Sequence, residues 1–331
     1  MTSKAKSSSK NSTSAPETNP EPHVAILVPC LNEEVTIAKV INDFRAAVPH
    51  ADIFVCDNGS TDNTVSVAKD AGATVIQETM RGKGNAIRRL FADIDADVYV
   101  MVDGDDTYDA SRAPELIAAA TEQGMDMVYG VRIAGKQVAE AYRPGHVFGN
   151  KVLTTLVTWA FSSPVSDMLS GYRAMSRRFV KSFPSHSSGF EIETELTIHA
   201  LELRTPTAEI ETAYGGRPEN SSSKLSTWKD GIRILLTIVE LVKTERPLFF
   251  FSWLAGILAV LAIGTAIPQI ILPWFETGLV ERVPTAILVT GMMVISFFSM
   301  AIGLVLDTVT RGRREVKRMH YLHYDGPRSR K

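Results

Sequence analysis

The chain has 331 residues, 45% of them apolar, with 35 basic against 37 acidic side chains and a formal charge of -2. That length holds one large domain plus an appendage and excludes a small stapled module, and the near-balance of charge gives no ground for nucleic-acid binding. Cys30 and Cys56 each lie near the end of a predicted strand, which suits small buried side chains in a reducing compartment better than a disulfide framework.

In chain order, residues 1–22 are rich in Ser, Lys, Thr and Pro and lack the apolar stretch of a signal peptide. They are expected to be a disordered cytoplasmic tail. From residue 23 onward strand-like and helix-like segments alternate. "HVAILVPC", "ADIFVCDN", "ATVIQE", "DVYVMVDG" and "MDMVYGV" read as short buried strands, separated by segments with Ala, Lys, Arg and Leu at helical spacing. This order predicts an α/β fold with a mainly parallel sheet. In such sheets ligands bind beyond the carboxyl ends of strands, near a reversal of strand order.

Each informative motif stands at such an end. In "VPCLNEE" (Val28 to Glu34) Pro29 is suited to turning the chain, while Asn32 and Glu33 or Glu34 offer polar groups to a ligand or to the start of the next helix. In "CDNGSTDNT" Asp57 follows apolar residues, Gly59 permits a sharp turn and Ser60 to Asp62 resemble a helix start; Asp57 sits one step too early to be the cap. "RGKGNAIR" (Arg81 to Arg88) sets two glycines around Lys83, but Ile87 stands where a dinucleotide fingerprint has its third glycine, and the motif does not follow the first strand. A Rossmann dehydrogenase is thereby disfavoured, and no NTPase phosphate loop occurs. What remains is a cationic loop at a helix start, suited to a base or a phosphate.

"VYVMVDGDDTYDAS" (Val98 to Ser111) runs mostly apolar residues into four aspartates. Unpaired neighbouring carboxylates repel one another, so positive charge belongs among them. Asp103, Asp105 and Asp106 supply hard oxygen ligands suited to Mg²⁺ or Mn²⁺ bridging a diphosphate.

Towards the other end, no Asp, Glu, Lys or Arg lies between Arg246 and Glu276, and a second uncharged run extends from Val283 to Leu306. Each is long enough to cross a bilayer, so residues 247–307 are expected to form a transmembrane hairpin with spans at about 248–272 and 283–306. Lys243 and Arg246 before it and "RGRREVKR" from Arg311 after it place both ends in the cytoplasm by the positive-inside rule. Residues 227–246, with Trp228, run straight into the hairpin and have the composition of an interfacial juxtamembrane helix; "VFGNKVLTTLVTWAF" with Trp159 suits an interface or ordinary core packing nearly equally. Residues 308–331 read as a basic cytoplasmic tail.

The succession "VPCLNEE", "CDNGSTD", "RGKGNAIR", "VDGDD" resembles the family-two glycosyltransferases of GT-A fold across about residues 23–245, with the catalytic domain at 23–226. "YGVR", "RPGHVFGN", "VSDMLSGYRAMSRR" and "GRPENSSSK" resemble its polyprenyl-phosphate branch, which includes dolichyl-phosphate mannose and glucose synthases. The resemblance implies that Pro29, Asn32, Glu33, Asp57, Lys83, Asp103 and Arg217 hold a nucleotide-sugar, and that Asp103 and Asp105 hold the metal, although which two of the three aspartates ligate stays open. It implies a lipid-phosphate grip by Arg132, Arg143, Arg173 and Lys224, with Arg132, Asp105 and Asp106 as catalytic candidates and Glu191, Glu193 and Glu195 as helix-start or supporting groups. Arginine's bidentate fork suits phosphate.

The implied reaction is a single, inverting displacement by the lipid phosphate at the sugar's anomeric carbon. UDP-glucose is the first choice of donor, with N-acetylglucosamine or mannose donors next. The expected partners are the nucleotide-sugar, the polyprenyl phosphate and the bilayer, with no nucleic acid; assembly as a homo-oligomer stays open. A processive polysaccharide synthase would share the first four motifs but carry a Q-x-x-R-W signature, which is absent. A membrane-anchored sugar-nucleotide binder without turnover is the rival of another class.

Overall fold

The structure, a computed structural model, describes residues 21–134, 166–185, 187–189, 191–215, 239–240 and 242–326. Seven strands form one sheet: β1 (Val24–Cys30), β2 (Asp52–Asp57), β3 (Thr74–Gln77), β4 (Val98–Met101), β5 (Met127–Ala134), β6 (Arg173–Ser176) and β7 (Thr207–Tyr214). Their order is β3-β2-β1-β4-β6-β5-β7, and among the described residues β6 alone runs antiparallel to its neighbours. The first five strands are those expected from sequence.

The helices are α1 (Ile37–Ala47), α2 (Thr64–Asp70), α3 (Lys83–Asp93), α4 (Ala113–Thr121), α5 (Arg177–Ser182) and α6 (Ile192–Leu203). Both faces of β1 are covered. Val24, Ile26, Val28 and Cys30 pack with Ile37, Ile41, Phe44 and Leu116 of α1 and α4; Ala25 and Leu27 pack with Ile87 and Leu90 of α3 and Leu196 of α6. This two-sided burial is why the strand reads as a continuous apolar run.

Strand order reverses around β1, which has β2 on one side and β4 on the other. Pro29, expected to turn the chain, instead lies inside β1. The β1–β4 register ends at Leu27 paired with Met101, and the Val102 amide donates to the Leu27 carbonyl at 3.1 Å. Odd positions of β1 therefore face β4, and at Pro29 that neighbour has already left, so the missing amide costs no ladder bond.

The appendage is a helical hairpin: α7 (Pro247–Ala266), a π-turn over Ile267–Ile271, α8 (Leu272–Thr277) and α9 (Val283–His323). Two helices, 247–277 and 283–323, are long and apolar enough to cross a membrane. Val260 and Phe297 are 71% and 73% exposed, as side chains facing lipid would be and core side chains would not. Gly303 lets the arms touch, since a Cβ there would come within 2.9 Å of Phe251 Cβ, and Ser296 Oγ donates to the Ala255 carbonyl at 2.8 Å. The segment after Leu306, read from sequence as a basic tail, continues α9 to His323.

Candidate active site

The carboxyl ends of β1, β2 and β4 present the loops after them to one crevice. Asn32 adopts a left-handed backbone (φ 53°), its amide donates to Ser60 Oγ at 2.9 Å and its Oδ1 accepts from the Thr61 amide at 2.8 Å. Glu33 receives the other side of this stitch, its amide donating to Thr64 Oγ1 at 2.8 Å. Asn32 and Glu33 thus join the loop after β1 to the loop after β2. Buried Asp57 accepts from the Ser60 amide at 3.1 Å. Its neighbour Asn58, which sequence reasoning passed over, donates to the Glu78 and Met80 carbonyls and accepts from the Gly82 amide at 2.5 Å. The placement of "RGKG" therefore depends on Asn58.

From sequence the two glycines belong to a cationic loop suited to a base or a phosphate. Another physical need is visible. A Cβ on Gly82 would overlap the Ser188 carbonyl oxygen, and one on Gly84 the Ser187 carbonyl oxygen. Gly82 also takes φ 128°, open to glycine and strained for other residues. The Gly84 amide donates to Ser188 O at 3.0 Å, so backbone from 187–189 covers the start of α3.

Lys83, at that helix start, turns inward. Its Nζ contacts Asp103 Oδ1 and lies 2.5 Å from Glu193 Oε1 of α6. Burial works against the ammonium, but Asp103 and Glu193 outweigh it and hold Lys83 well above the usual lysine value. Here is the positive charge that the aspartate cluster requires. Asp103 is itself pressed by Gly171, where a Cβ would lie 2.6 Å from Oδ2.

The three aspartates have separate surroundings. Asp103 keeps 26% of its side chain exposed. Asp105 is buried and accepts from Thr107 Oγ1 at 2.6 Å. Asp106, in a left-handed conformation (φ 58°), pairs with Lys39 of α1 at 2.6 Å and lines a groove of about 680 Å³ with Lys39, Asp43, Tyr108 and Pro114.

Arg132, at the carboxyl-terminal half of β5, is held by Asp167 through Nε at 2.6 Å and Nη2 at 2.8 Å, and its guanidinium lies 5.4 Å from the centre of the Tyr214 ring. The fork is preset and still 15% exposed. Arg173, by contrast, requires a correction. It is wholly buried in β6, donating to the Ser170 and Met168 carbonyls and to Thr197 Oγ1 of α6 at 2.9, 2.7 and 2.9 Å. Enclosed among fixed acceptors, it braces the 168–171 loop and presents no face to an incoming phosphate. Arg143, Arg217 and Lys224 lie outside the described residues. Both cysteines are free and buried, and burial pushes the Cys56 thiol up to about 12.

The sequence profile of Glycosyl transferase family 2 matches residues 25–183. Glycosyltransferase AglJ of Haloferax volcanii is 33% identical over 301 residues, 90% of this chain and 98% of its own. The chain belongs to glycosyl transferase family 2. A dolichyl-phosphate hexose transferase of the same organism is 28% identical over 224 residues, 67% of this chain and 95% of its own. Among solved structures, glucosyl-3-phosphoglycerate synthase from Mycobacterium tuberculosis, in complex with Mn²⁺, UDP and phosphoglyceric acid, matches with a TM-score of 0.52 at 26% identity, covering 67% of this chain and 78% of that one. The mixed sheet is thus the GT-A-like fold that the motif order implies.

In this family-2 glycosyltransferase no cluster of three or more His, Cys, Asp or Glu side chains stands ready to cage a metal among the described residues. Two carboxylates, Asp103 and Asp105, are nevertheless a fitting set for Mg²⁺ or Mn²⁺. Such ions keep waters and take one or two carboxylates together with substrate phosphates.

Proposed function

We propose that this glycosyltransferase moves a hexose from a nucleotide-sugar, UDP-glucose first, to a polyprenyl phosphate at the cytoplasmic face of a membrane. One observation carries the reading: Lys83 against Asp103 and the Asp167-held Arg132 fork belong to a domain continuous with two bilayer-length helices. The relative named for dolichyl-phosphate hexose transfer supports the acceptor class, and the solved neighbour holding Mn²⁺ and UDP supports the donor class. Lys243 and Arg246 before α7 and the basic run from Arg311 favour a cytoplasmic catalytic domain.

In this mechanism Asp103 and Asp105 would hold a divalent ion, which when bound would supply charge neutralisation for the diphosphate. Lys83, kept protonated, adds a second positive charge for the donor side. Arg132, presented by Asp167 and Tyr214, grips the acceptor phosphate together with Arg143 and Lys224, while Arg217 serves the donor diphosphate. A phosphate oxygen then forms the bond to the anomeric carbon as the carbon–oxygen bond to the nucleoside diphosphate breaks, the electron pair leaving on the diphosphate. The acceptor oxygen is ionised near neutral pH, its second pKa being about 6, so no strong protein base is required. Positioning and charge stabilisation carry the rate.

The test is sugar transfer to polyprenyl phosphate in detergent with Mn²⁺ or Mg²⁺ and a panel of glucose, N-acetylglucosamine and mannose donors. The expected outcome is a metal-dependent, lipid-extractable product of inverted anomeric configuration, reduced about 100-fold or more by Asp105→Asn. A product with retained configuration, or nucleotide binding without any lipid product, would refute the proposal.

A further inference from the structure

Helix α6 connects the membrane hairpin to the catalytic crevice through a buried glutamate at each end. Ile192, Glu193, Thr194, Leu196, Thr197, Ile198, His199, Ala200 and Leu203 are all buried, so the helix is packed along its whole length and its two ends are rigidly related. In its first turn Glu193 holds Lys83, which also contacts Asp103. In its last turn Glu202, with a side chain 1% exposed, meets Lys317 of α9 at 2.6 Å and Arg314 at 3.4 Å. The two glutamates are nine residues apart, about 13 Å along a helix.

A carboxylate near a helix carboxyl terminus opposes the helix dipole. Burying one there requires cations from elsewhere, and α9 provides them. The same cluster reaches the base of α7, since Arg314 Nη2 donates to the Glu245 carbonyl at 2.7 Å and Arg313 lies 3.6 Å from the Glu245 carboxylate. Thr310 Oγ1 adds a bond to the Thr244 carbonyl at 3.2 Å.

We infer that α6 is a strut through which the hairpin sets the catalytic centre, with Glu202 a positioning residue that acts on Asp103 by way of Glu193 and Lys83. This inference rests on reading the crevice as a nucleotide-sugar site. Loosening the Glu202 end lets the helix shift along its axis. Glu193 then no longer fixes Lys83 against Asp103, and the donor diphosphate meets a displaced ammonium.

The test uses the full-length chain in detergent and reads two quantities, the dissociation constant for UDP or GDP with Mn²⁺ by calorimetry and the donor KM and kcat in the transfer assay. Lys317→Gln, altering a partly exposed side chain, is expected to weaken nucleoside diphosphate binding about 5- to 10-fold and raise donor KM in parallel, with kcat changed less than 3-fold. Glu202→Gln is expected to do the same. Lys317→Arg, which keeps the charge, is expected to hold binding within about 2-fold of the wild-type value. Lowered melting temperature with unchanged binding and KM would overturn the inference, as would a Lys317→Gln chain that cannot be obtained folded, because the pair would then serve folding alone. A wild-type chain that binds no nucleoside diphosphate would overturn the functional reading itself; one that binds it but transfers to no lipid would overturn only the acceptor, leaving the calorimetric comparison decisive for the strut.

Discussion

Arg132 shows how a site residue is made from its neighbours. A free arginine loses side-chain freedom when it binds phosphate, but here Asp167 has already fixed the fork through two hydrogen bonds and the Tyr214 ring supports the guanidinium. Lysine keeps the charge and loses the planar, paired donors. Arg132→Lys is therefore expected to raise the acceptor KM about 10-fold, the worth of one charge-assisted hydrogen bond, with nucleoside diphosphate affinity within 2-fold of wild type. Kinetics with the lipid varied, alongside calorimetry with UDP, separate the two effects. Motif order and the family resemblance single out Asp103, Lys83 and Arg132, and the fold brings Lys83 against Asp103. Sequence alone could not reveal Asp167 as the partner of Arg132, a pairing across 35 positions, nor that Arg173 in the same motif is enclosed.

At the scale of elements, the same distinction governs what could be read. β1 and β4 are apolar runs of fully buried strand, and their composition announces them; β3, half-exposed at the sheet edge, is read from its β-branched Thr74, Val75 and Ile76. β6 is only four residues, begins with a buried arginine and joins β4 to β5 against the sheet direction; its existence depends on partners distant in sequence. β7 is an edge strand with mixed exposure. The glycines of "RGKG" were legible as a special loop, but their reason is the backbone of 187–189 lying across α3. Gly84→Ala puts a methyl group into the Ser187 and Ser188 backbone, a fixed neighbour, and is expected to destabilise the fold by about 1–3 kcal/mol. Gly256→Ala, in open space on α7, is the comparison expected to leave the melting temperature unchanged. Equal melting temperatures for the two variants would deny the close approach.

For the whole molecule, the length of α9 is decisive. Its apolar run from Val283 to Leu306 covers about 36 Å at 1.5 Å per residue, enough for a hydrocarbon core of about 30 Å. The remainder, to His323, adds about 25 Å that lies against the catalytic domain. Near its end Tyr321 Oη donates to Asp126 at 2.5 Å, and the same buried carboxylate takes two bonds from Arg178 at 2.6 Å each, whose guanidinium lies 4.6 Å from the Tyr321 ring centre. Sequence alone reads this stretch as a basic tail because its cations find their acidic partners, Glu202 and Glu245, only in the fold.

Those partners give the assembly a pH signature. Burial, then the hydrogen bond shared with Glu202, pushes Glu245 up to about 7. Glu202 is held well below the usual range: burial opposes its charge, but the Glu245 hydrogen bond and Lys317 outweigh it. Among the described residues Arg313 and Arg314 also face the pair. Between about 4.3, the ordinary glutamate value, and about 7 the folded chain keeps a proton on Glu245 that the unfolded chain has released. Stability from this group is therefore present at low pH and lost as pH rises through that window. Glu202 has the opposite sign, and its contribution is lost only below about 4.3. His199, which burial lowers to about 3, favours the folded chain as pH rises towards about 6.5. That effect is common to wild type and a Glu245 variant, so their difference isolates the shared proton. Glu245→Gln offers an amide donor to Glu202 at every pH. Its melting temperature minus that of wild type is expected to increase from pH 5 to pH 7.5, and a difference independent of pH would show that Glu245 holds no extra proton in the fold.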